Sequence, residues 1–406
     1  MQNSILRDID VQRVRTRLHR LATGNAILTK YSFAYNFPVD DLALTPPPIL
    51  TFSVQPNSIP ATNIHVLIGR NGVGKSRCFD LLARSLLGIQ DQQFPHPVGE
   101  VINTGTPGID GNPWPVASYA APDFAGLVTV SFSAFDTRGP LGGISPGTKR
   151  YAYIGLVTHE PPLSTASEDV LVEPRVKGSS ELAREFALSV LACREGVRRR
   201  RWKEALETLQ ADPLFAEANV SALADDVKLD LEDKARSLFR KLSSGHAIVL
   251  LSITRLVELV EEKSLVLIDE PESHLHPPLL SAFIRALSNL LTERNGVALV
   301  ATHSPVVLQE VPNSCVWKLS RSGHEARADR PELETFGENV GVLTREVFGL
   351  EVTQTGFHKL VADMAQGRTY DQILELFGGQ LGAEGRSLAR ALSLLPPSQL
   401  SPSVDD

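Results

Sequence analysis

The sequence predicts an α/β fold with two lobes: an N-terminal antiparallel sheet, a parallel core sheet and a helical insert. Three observations predict it. Apolar strand runs alternate with helical stretches through the middle of the chain. One of those strands, IHVLIG, runs directly into the glycine-rich loop GRNGVGKS, which opens a helix. The stretch from about Ser179 to Leu242 is patterned as helix. The 406-residue chain is long enough for two or three domain-sized units. With 42% hydrophobic and 21% charged residues it has an ordinary globular composition, which excludes collagen-like, coiled-coil-dominated and wholly disordered classes.

The elements follow in order. The runs AILTKYSFAY and ILTFSV, separated by VDD and TPPP turn clusters, predict a small antiparallel sheet. The alternating Tyr31, Phe33, Tyr35 and Phe37 fit either a packed strand or a platform for a nucleobase. After IHVLIG and its loop, a helix is expected over Ser76 to Leu87, stopped by Gly88. Residues 90–126 are rich in Pro and Gly and read as a long irregular segment before the strand GLVTVSFSAF. A helix AIVLLSITRLVELVEEK then leads to the strand LVLID. Next comes a helix carrying Leu279, Leu280, Phe283, Leu287, Leu290 and Leu291 at helical spacing, then the strand VALVAT. These alternations predict right-handed βαβ crossovers. The expected divisions are 1–135 (N-terminal lobe), 136–245 (irregular segment and helical insert), 246–325 (second half of the core), 326–391 (a C-terminal appendage) and 392–406 (a disordered tail).

No apolar run reaches the roughly 18 to 20 residues of a membrane span, and the first twenty residues carry charge where a signal peptide is apolar. A cytoplasmic protein without a membrane partner is expected. Cys78, Cys193 and Cys315 lie far apart, which excludes a cysteine-rich zinc module and disfavours a disulfide framework. The net charge of -7 does not suit a surface that coats a phosphate backbone, although a local basic groove stays open. The one basic run, Arg198-Arg199-Arg200-Arg201 followed by Trp202, reads either as a solvated helix or as a contact with nucleic acid or an acidic partner.

Gly69-Arg70-Asn71-Gly72-Val73-Gly74-Lys75-Ser76 satisfies G-x-x-x-x-G-K-[ST]. Such a loop turns backbone N–H groups inward around a triphosphate, and the helix behind it adds its positive end. Lys75 is then the residue for the β- and γ-phosphates, Ser76 a ligand of Mg²⁺, and the neighbouring Arg77 belongs to the same nucleotide-binding set. The run Leu265-Val266-Leu267-Ile268 ends in Asp269 and Glu270, which places two carboxylates at the C-terminal edge of a buried strand. Asp269 is the candidate metal ligand and Glu270 the candidate base for the attacking water.

Leu242-Ser243-Ser244-Gly245-His246 precedes a helix, and Thr302-His303-Ser304-Pro305 follows the strand VALVA. The order of phosphate loop, LSSGH, LVLIDEPE and THSP resembles the ATP-binding cassette superfamily, whose signature is usually written LSGGQ. The resemblance covers most of residues 25 to 320. It implies a P-loop NTPase fold, ATP and Mg²⁺ as ligands, and a homodimer or a higher oligomer of dimers. In that arrangement Ser243, Ser244 and Gly245 of one copy close on the γ-phosphate held by the other, and His303 is a switch histidine that acts with Lys75 and Glu270. Within the superfamily, DEPESHLHP resembles the soluble AAA-family branch that includes the OLD and RecF-like ATPases. Ser273, His274, Leu275 and His276 match the loop that crosses the dimer interface. A metal site at His274 and His276 is the other reading of that histidine pair. The phrase ETFGENVGVLTREVFGLE resembles the ATPase subunit of Septu-type anti-phage defence systems, which implies a separate HNH-type nuclease partner.

Two departures stand out. Ser133 is the nearest match to the glutamine that joins the metal to the helical lobe, and the signature ends in His246 rather than Gln or Glu. The insert is too short for a long coiled-coil arm. The C-terminal residues hold no E…D-x-D nuclease constellation and no HNH pattern, so ATP hydrolysis without intrinsic nuclease activity is expected. The alternatives are a RecF-like repair ATPase that binds DNA directly, a transporter's motor subunit and a non-catalytic binding module.

Overall fold

Strands that are apolar on both faces need cover on both faces, and the core of this chain is built that way. In the computed structural model, β3 (Ile64–Gly69) and β10 (Val297–Thr302) are buried along their whole lengths, and β9 (Ser264–Asp269) along all but its last residue. The structure describes residues 26, 28–39, 42–89, 97–104, 124–133, 141, 149–158, 175–225, 230–354 and 356–394, the side chains of 350–354 excepted. Much of the expected irregular segment 90–126, and the tail from 395 onward, lie outside the described residues.

The core sheet has seven strands in the order β12-β11-β3-β10-β9-β5-β6, adding β5 (Gly126–Ser131), β6 (Arg150–Gly155), β11 (Val316–Ser322) and β12 (Glu325–Asp329). Every neighbouring pair is parallel except β11 with β12. Six strands therefore finish at one edge, and the candidate site lies there. A separate antiparallel sheet, in the order β2-β1-β4, pairs β1 (Tyr31–Asn36) with β2 (Ile49–Val54) and with β4 (Glu100–Asn103). The strand β4 lies within the segment read from sequence as irregular. Its four residues are too short a run to register against the surrounding Pro and Gly.

Helix α1 (Lys75–Leu87) sits between the two sheets. Its Phe79, Leu82 and Leu86 share one hydrophobic core with Phe33, Tyr35, Leu50 and Phe52 of the antiparallel sheet and with Leu67, Leu265, Leu267 and Leu299 of the core sheet. The alternating aromatics of β1 are thus core residues. Phe33 and Tyr35 are fully buried, and the hydroxyls of Tyr31 and Tyr35 donate to Asn295 O (3.1 Å) and Val98 O (2.7 Å). Trp317 and Arg330 fasten the far edge of the core sheet to β2. The indole N–H of Trp317 donates to Thr51 O at 3.1 Å, and the Arg330 guanidinium lies 3.6 Å from the Trp317 ring centroid and donates to Thr51 O and Val316 O. Burial pushes the Arg330 pKa down to about 10.

A short antiparallel pair, β7 (Val157–Thr158) with β8 (Arg175–Val176), precedes the helical insert, which comprises α2 (Ser179–Cys193), α3 (Gly196–Leu209), α4 (Pro213–Ala218), α5 (Ala222–Asp225) and α6 (Leu231–Lys241). The insert leads into α7 (Ser244–Leu259). Phe186 of α2 stacks on Phe239 of α6 at 5.2 Å. Trp202 is fully buried and its Nε1–H donates to Thr254 Oγ1 at 3.0 Å, so it has no face free to stack on a base. Arg199 pairs with Asp225, Arg200 with Glu204, and the buried Arg201 with Glu293 of α8 (Pro277–Glu293). Three of the four consecutive arginines are therefore engaged by carboxylates of their own chain. Trp202→Ala should lower stability by about 3 to 5 kcal/mol, the range for a buried aromatic truncated to Ala. An unchanged urea midpoint would contradict that burial.

Cys78, Cys193 and Cys315 are buried free thiols. No helix among the described residues is long and apolar enough to cross a membrane. The chain divides into a unit of residues 1–338 and a second of residues 339–406. The division lies beyond the 325 expected from sequence, because β12 pairs with β11 and extends the core sheet to Asp329. The described residues of the second unit form four helices: α9 (Val340–Gln354), α10 (Gly356–Ala365), α11 (Tyr370–Leu376) and α12 (Ala383–Ser393). It has a small core of its own around Val361, Ala365, Ile373 and Ala389.

Candidate nucleotide site

Strand order explains how distant residues converge. β10 lies between β3 and β9, so the residue following β10 stands between the loop after β3 and the acids after β9. That residue is His303. Its Nε2 is 2.8 Å from Lys75 Nζ and 3.1 Å from Glu270 Oε1, and its Nδ1 is 3.2 Å from Lys75 Nζ. A hydrogen on Nε2 serves the contact with Glu270, and Nδ1 is then the ring nitrogen that accepts from the ammonium.

Lys75 opens α1 and is almost wholly buried. Its three ammonium hydrogens have three acceptor groups: Gly69 O at 3.0 Å, Arg70 O at 3.1 Å and the His303 ring. Burial pushes its pKa down, against the opposing pull of Glu270, Asp269 and Glu272. A charge held this way calls for an anion. The loop in front of it is shaped for one: Gly72 and Gly74 adopt φ of +81° and +98°, and a Cβ at either position would meet nothing within 4 Å. This left-handed, open backbone is the conformation in which successive amides form a concave anion cradle. Arg70, Asn71, Gly72 and Arg77 are exposed, Ser76 is half-buried, and Val73 packs its side chain against the core.

Asp269 is the last residue of β9, level with Ala301 of β10 and Ser131 of β5. Glu270 leaves the strand in the left-handed region, with φ 48° and ψ 58°, and its N–H donates to Ala301 O at 2.8 Å. A non-glycine residue there costs about 1 to 3 kcal/mol and persists where the surroundings impose it, commonly at functional sites. Sequence reasoning missed Glu272, whose Oε1 accepts from His303 N–H at 2.5 Å and so fixes the histidine's main chain. Its signal was its place in the DEPE run directly after the strand. Of the histidine pair, His274 Nε2 meets Phe132 O at 3.1 Å, whereas His276 turns to Asp212, 3.3 Å away.

The LSSGH segment sits at the start of α7. Ser243 is the N-cap, accepting from His246 N–H at 3.5 Å, and its Oγ also lies 2.6 Å from His246 Nδ1. Ser243 and Ser244 are exposed while Gly245 and His246 are buried, so the two serines face outward and the other two residues face the chain itself. No hydrogen bond of the Ser243 hydroxyl among the described residues reaches the phosphate loop of its own chain. Gly245 is constrained from within, since a Cβ there would come 2.4 Å from His274 O. Gly245→Ala must separate α7 from the loop at 274. We expect a loss of about 1 to 3 kcal/mol, measured as a fall in thermal midpoint; an unaltered midpoint would count against this packing.

The chain is similar to several known proteins. A family model described as "AAA domain, putative AbiEii toxin, Type IV TA system" matches residues 198–309, which include LSSGH, LVLIDEPE and THSP. Among solved structures, a metal-chelate type ABC transporter in an inward-facing conformation is 16% identical, with a TM-score of 0.37, over 79% of this chain and 89% of that one. The ADP conformation of an ATP-binding cassette of an ABC transporter is 16% identical, with a TM-score of 0.32, over 70% and 85%. Protein ea59 of Escherichia phage lambda is 39% identical over 419 residues, spanning 97% of this chain and 74% of that protein. On that extent of identity, the chain belongs to the family of phage lambda protein ea59, and its residues 198–309 match the AAA domain model.

Proposed function

We propose that the chain is an ATP-hydrolysing switch that dimerises around nucleotide and controls a partner effector. The observation that carries this reading is the Lys75–His303–Glu270 chain, which links an anion cradle to a carboxylate across one intervening strand.

ATP would place its phosphates against the amides of Gly69 to Ser76 and the first turn of α1, and Lys75 would exchange Gly69 O and Arg70 O for phosphate oxygens. Ser76 and Asp269 would hold Mg²⁺, a hydroxyl and a carboxylate being the oxygen donors that such a hard cation takes. When bound, that ion supplies neutralisation of charge on the phosphate oxygens. Glu270, released from His303, would accept the proton of the attacking water, and His303 would report whether a γ-phosphate is present. The outward-facing Ser243 and Ser244, with the N-terminal end of α7, would close on the γ-phosphate held by a second copy, Gly245 keeping that helix start seated on its own chain. Differential affinity of the closed dimer for ATP would then make hydrolysis the switch.

The resemblance of the ETFGENVGVLTREVFGLE segment to defence ATPases, together with a phage-encoded relative, supports a setting in conflict between phage and host or between phages. An HNH-type nuclease is the effector class this reading assigns, and the cytoplasm its compartment. Purified protein with Mg²⁺ and ATP should release phosphate and bind one ATP per chain; no release above background would overturn the reading. Reconstitution with an HNH protein encoded beside it should make DNA cleavage depend on both this chain and ATP. Cleavage indifferent to this chain would remove the effector assignment alone.

A further inference from the structure

A second cluster of chemistry-bearing side chains lies apart from the Lys75–His303–Glu270 chain, where α4, α7 and α8 begin. Asp212 is the N-cap of α4, and its Oδ1 accepts from Leu214 N–H at 2.9 Å and from Phe215 N–H at 3.4 Å. The same oxygen is 3.0 Å from His246 Nε2, and Oδ2 is 3.3 Å from His276 Nε2. Asp212, His246 and His276 each offer one ligand atom, and these atoms all lie within 4.8 Å of one another; this is the one such group of three among the described residues. Asp212 and His246 are buried, and His276, whose side chain is 50% exposed, opens the cluster to solvent.

We propose that Asp212, His246 and His276 form a binding site for a divalent transition metal of the zinc class. Ligands held 2.0 to 2.1 Å from a tetrahedral ion lie about 3.3 to 3.4 Å from one another. His246 Nε2 lies 3.0 Å from one Asp212 oxygen and His276 Nε2 3.3 Å from the other, and three ligand atoms already within 4.8 Å of one another reach that spacing by side-chain adjustment. Two imidazoles and one carboxylate leave a fourth position for water, and imidazole donors select zinc-like ions over Mg²⁺ or Ca²⁺. The outer shell fits too. A histidine that ligates through Nε2 donates its Nδ1–H to a fixed acceptor, and Ser243 Oγ stands 2.6 Å from His246 Nδ1. The Phe215 ring, 5.0 Å from the His246 ring, holds the imidazole in place. Ligation by His276 Nε2 would put its proton on Nδ1 and give up only the long 3.4 Å contact with Leu279 N–H.

Such an ion would join three helix starts directly behind Ser243. With Nδ1–H of His246 donating to Ser243 Oγ, the serine's own proton would be directed elsewhere, which suits donation to a phosphate oxygen. That consequence rests on the nucleotide reading above; the site itself does not.

The test is a Zn²⁺ titration of the tag-free, metal-stripped full-length chain by calorimetry, without nucleotide, repeated with Co²⁺ while recording the visible spectrum. The expected result is one equivalent per chain with intense four-coordinate Co²⁺ bands. His276→Asn keeps a good helix N-cap while removing the imidazole, and should weaken binding at least about 10-fold. Its thermal midpoint in EDTA should match wild type; if it falls, Asp212→Asn serves as the second variant, with the same loss expected. Absence of saturable binding in the wild type, or wild-type affinity in a folded ligand variant, would overturn the proposal whatever the chain does with ATP.

Discussion

Replacing Lys75 with Ala is expected to weaken ATP binding by at least about 100-fold, as a charge-assisted contact to two phosphates is lost from a buried site. The argument rests on how the ammonium is held. It is nearly inaccessible, burial disfavours its charge, and its hydrogens are spent on two loop carbonyls and a histidine. Such a group is poised to trade weak partners for an anion. The substitution also releases His303 from one of its two neighbours, so the loss should extend to hydrolysis. Calorimetric titration of wild type and variant with Mg²⁺ and ATP checks this, with unfolding midpoints measured alongside. A folded variant that binds ATP like wild type would remove Lys75 from the site.

Glu270→Gln should have the opposite division of effects. Binding should stay within a few-fold of wild type, because the side chain lies beyond the cradle and meets His303 rather than the loop. Turnover should fall by about 10² to 10⁴-fold, the usual worth of a positioned general base. The amide keeps a similar shape but cannot take the proton from water, so ATP-bound dimers should accumulate. Light scattering coupled to gel filtration, together with phosphate release, reads both halves of this result. Unchanged turnover would move the base elsewhere, with Glu272 the next carboxylate to consider.

The parts of the fold that were legible in the sequence are those in which local pattern and tertiary role coincide. The strands IHVLIG, LVLID and VALVAT are apolar on both faces because both are covered, and Gly88 in its left-handed conformation closes α1 where the pattern stops. What could not be read depended on distant partners. β4 is four residues long and is defined by its pairing with β1. β12 belongs to the core because β11 lies beside it. Trp202 looks like a stacking residue next to four arginines, and only the position of Thr254 on α7 shows that it points inward. In the candidate site, Lys75, Ser76, Asp269 and Glu270 come from motif spacing and His303 from the family resemblance, whereas strand order is needed to put His303 between Lys75 and Glu270. His246 reads from sequence as a departure from a pattern. The structure gives it partners on either side, Ser243 and Asp212, and Asp212 itself left only the faint signal of an Asp-Pro pair at a helix start.

The most direct test mixes two variants that are each inactive alone. Lys75→Ala lacks a working cradle but keeps its outward serines; Ser243→Arg keeps its cradle but blocks the surface that would cap a partner's phosphate. If each nucleotide is shared between copies, a mixed dimer regains one complete site, and random pairing should restore roughly a quarter of wild-type ATPase activity. If the mixture does no better than the sum of its two components, the shared site is wrong.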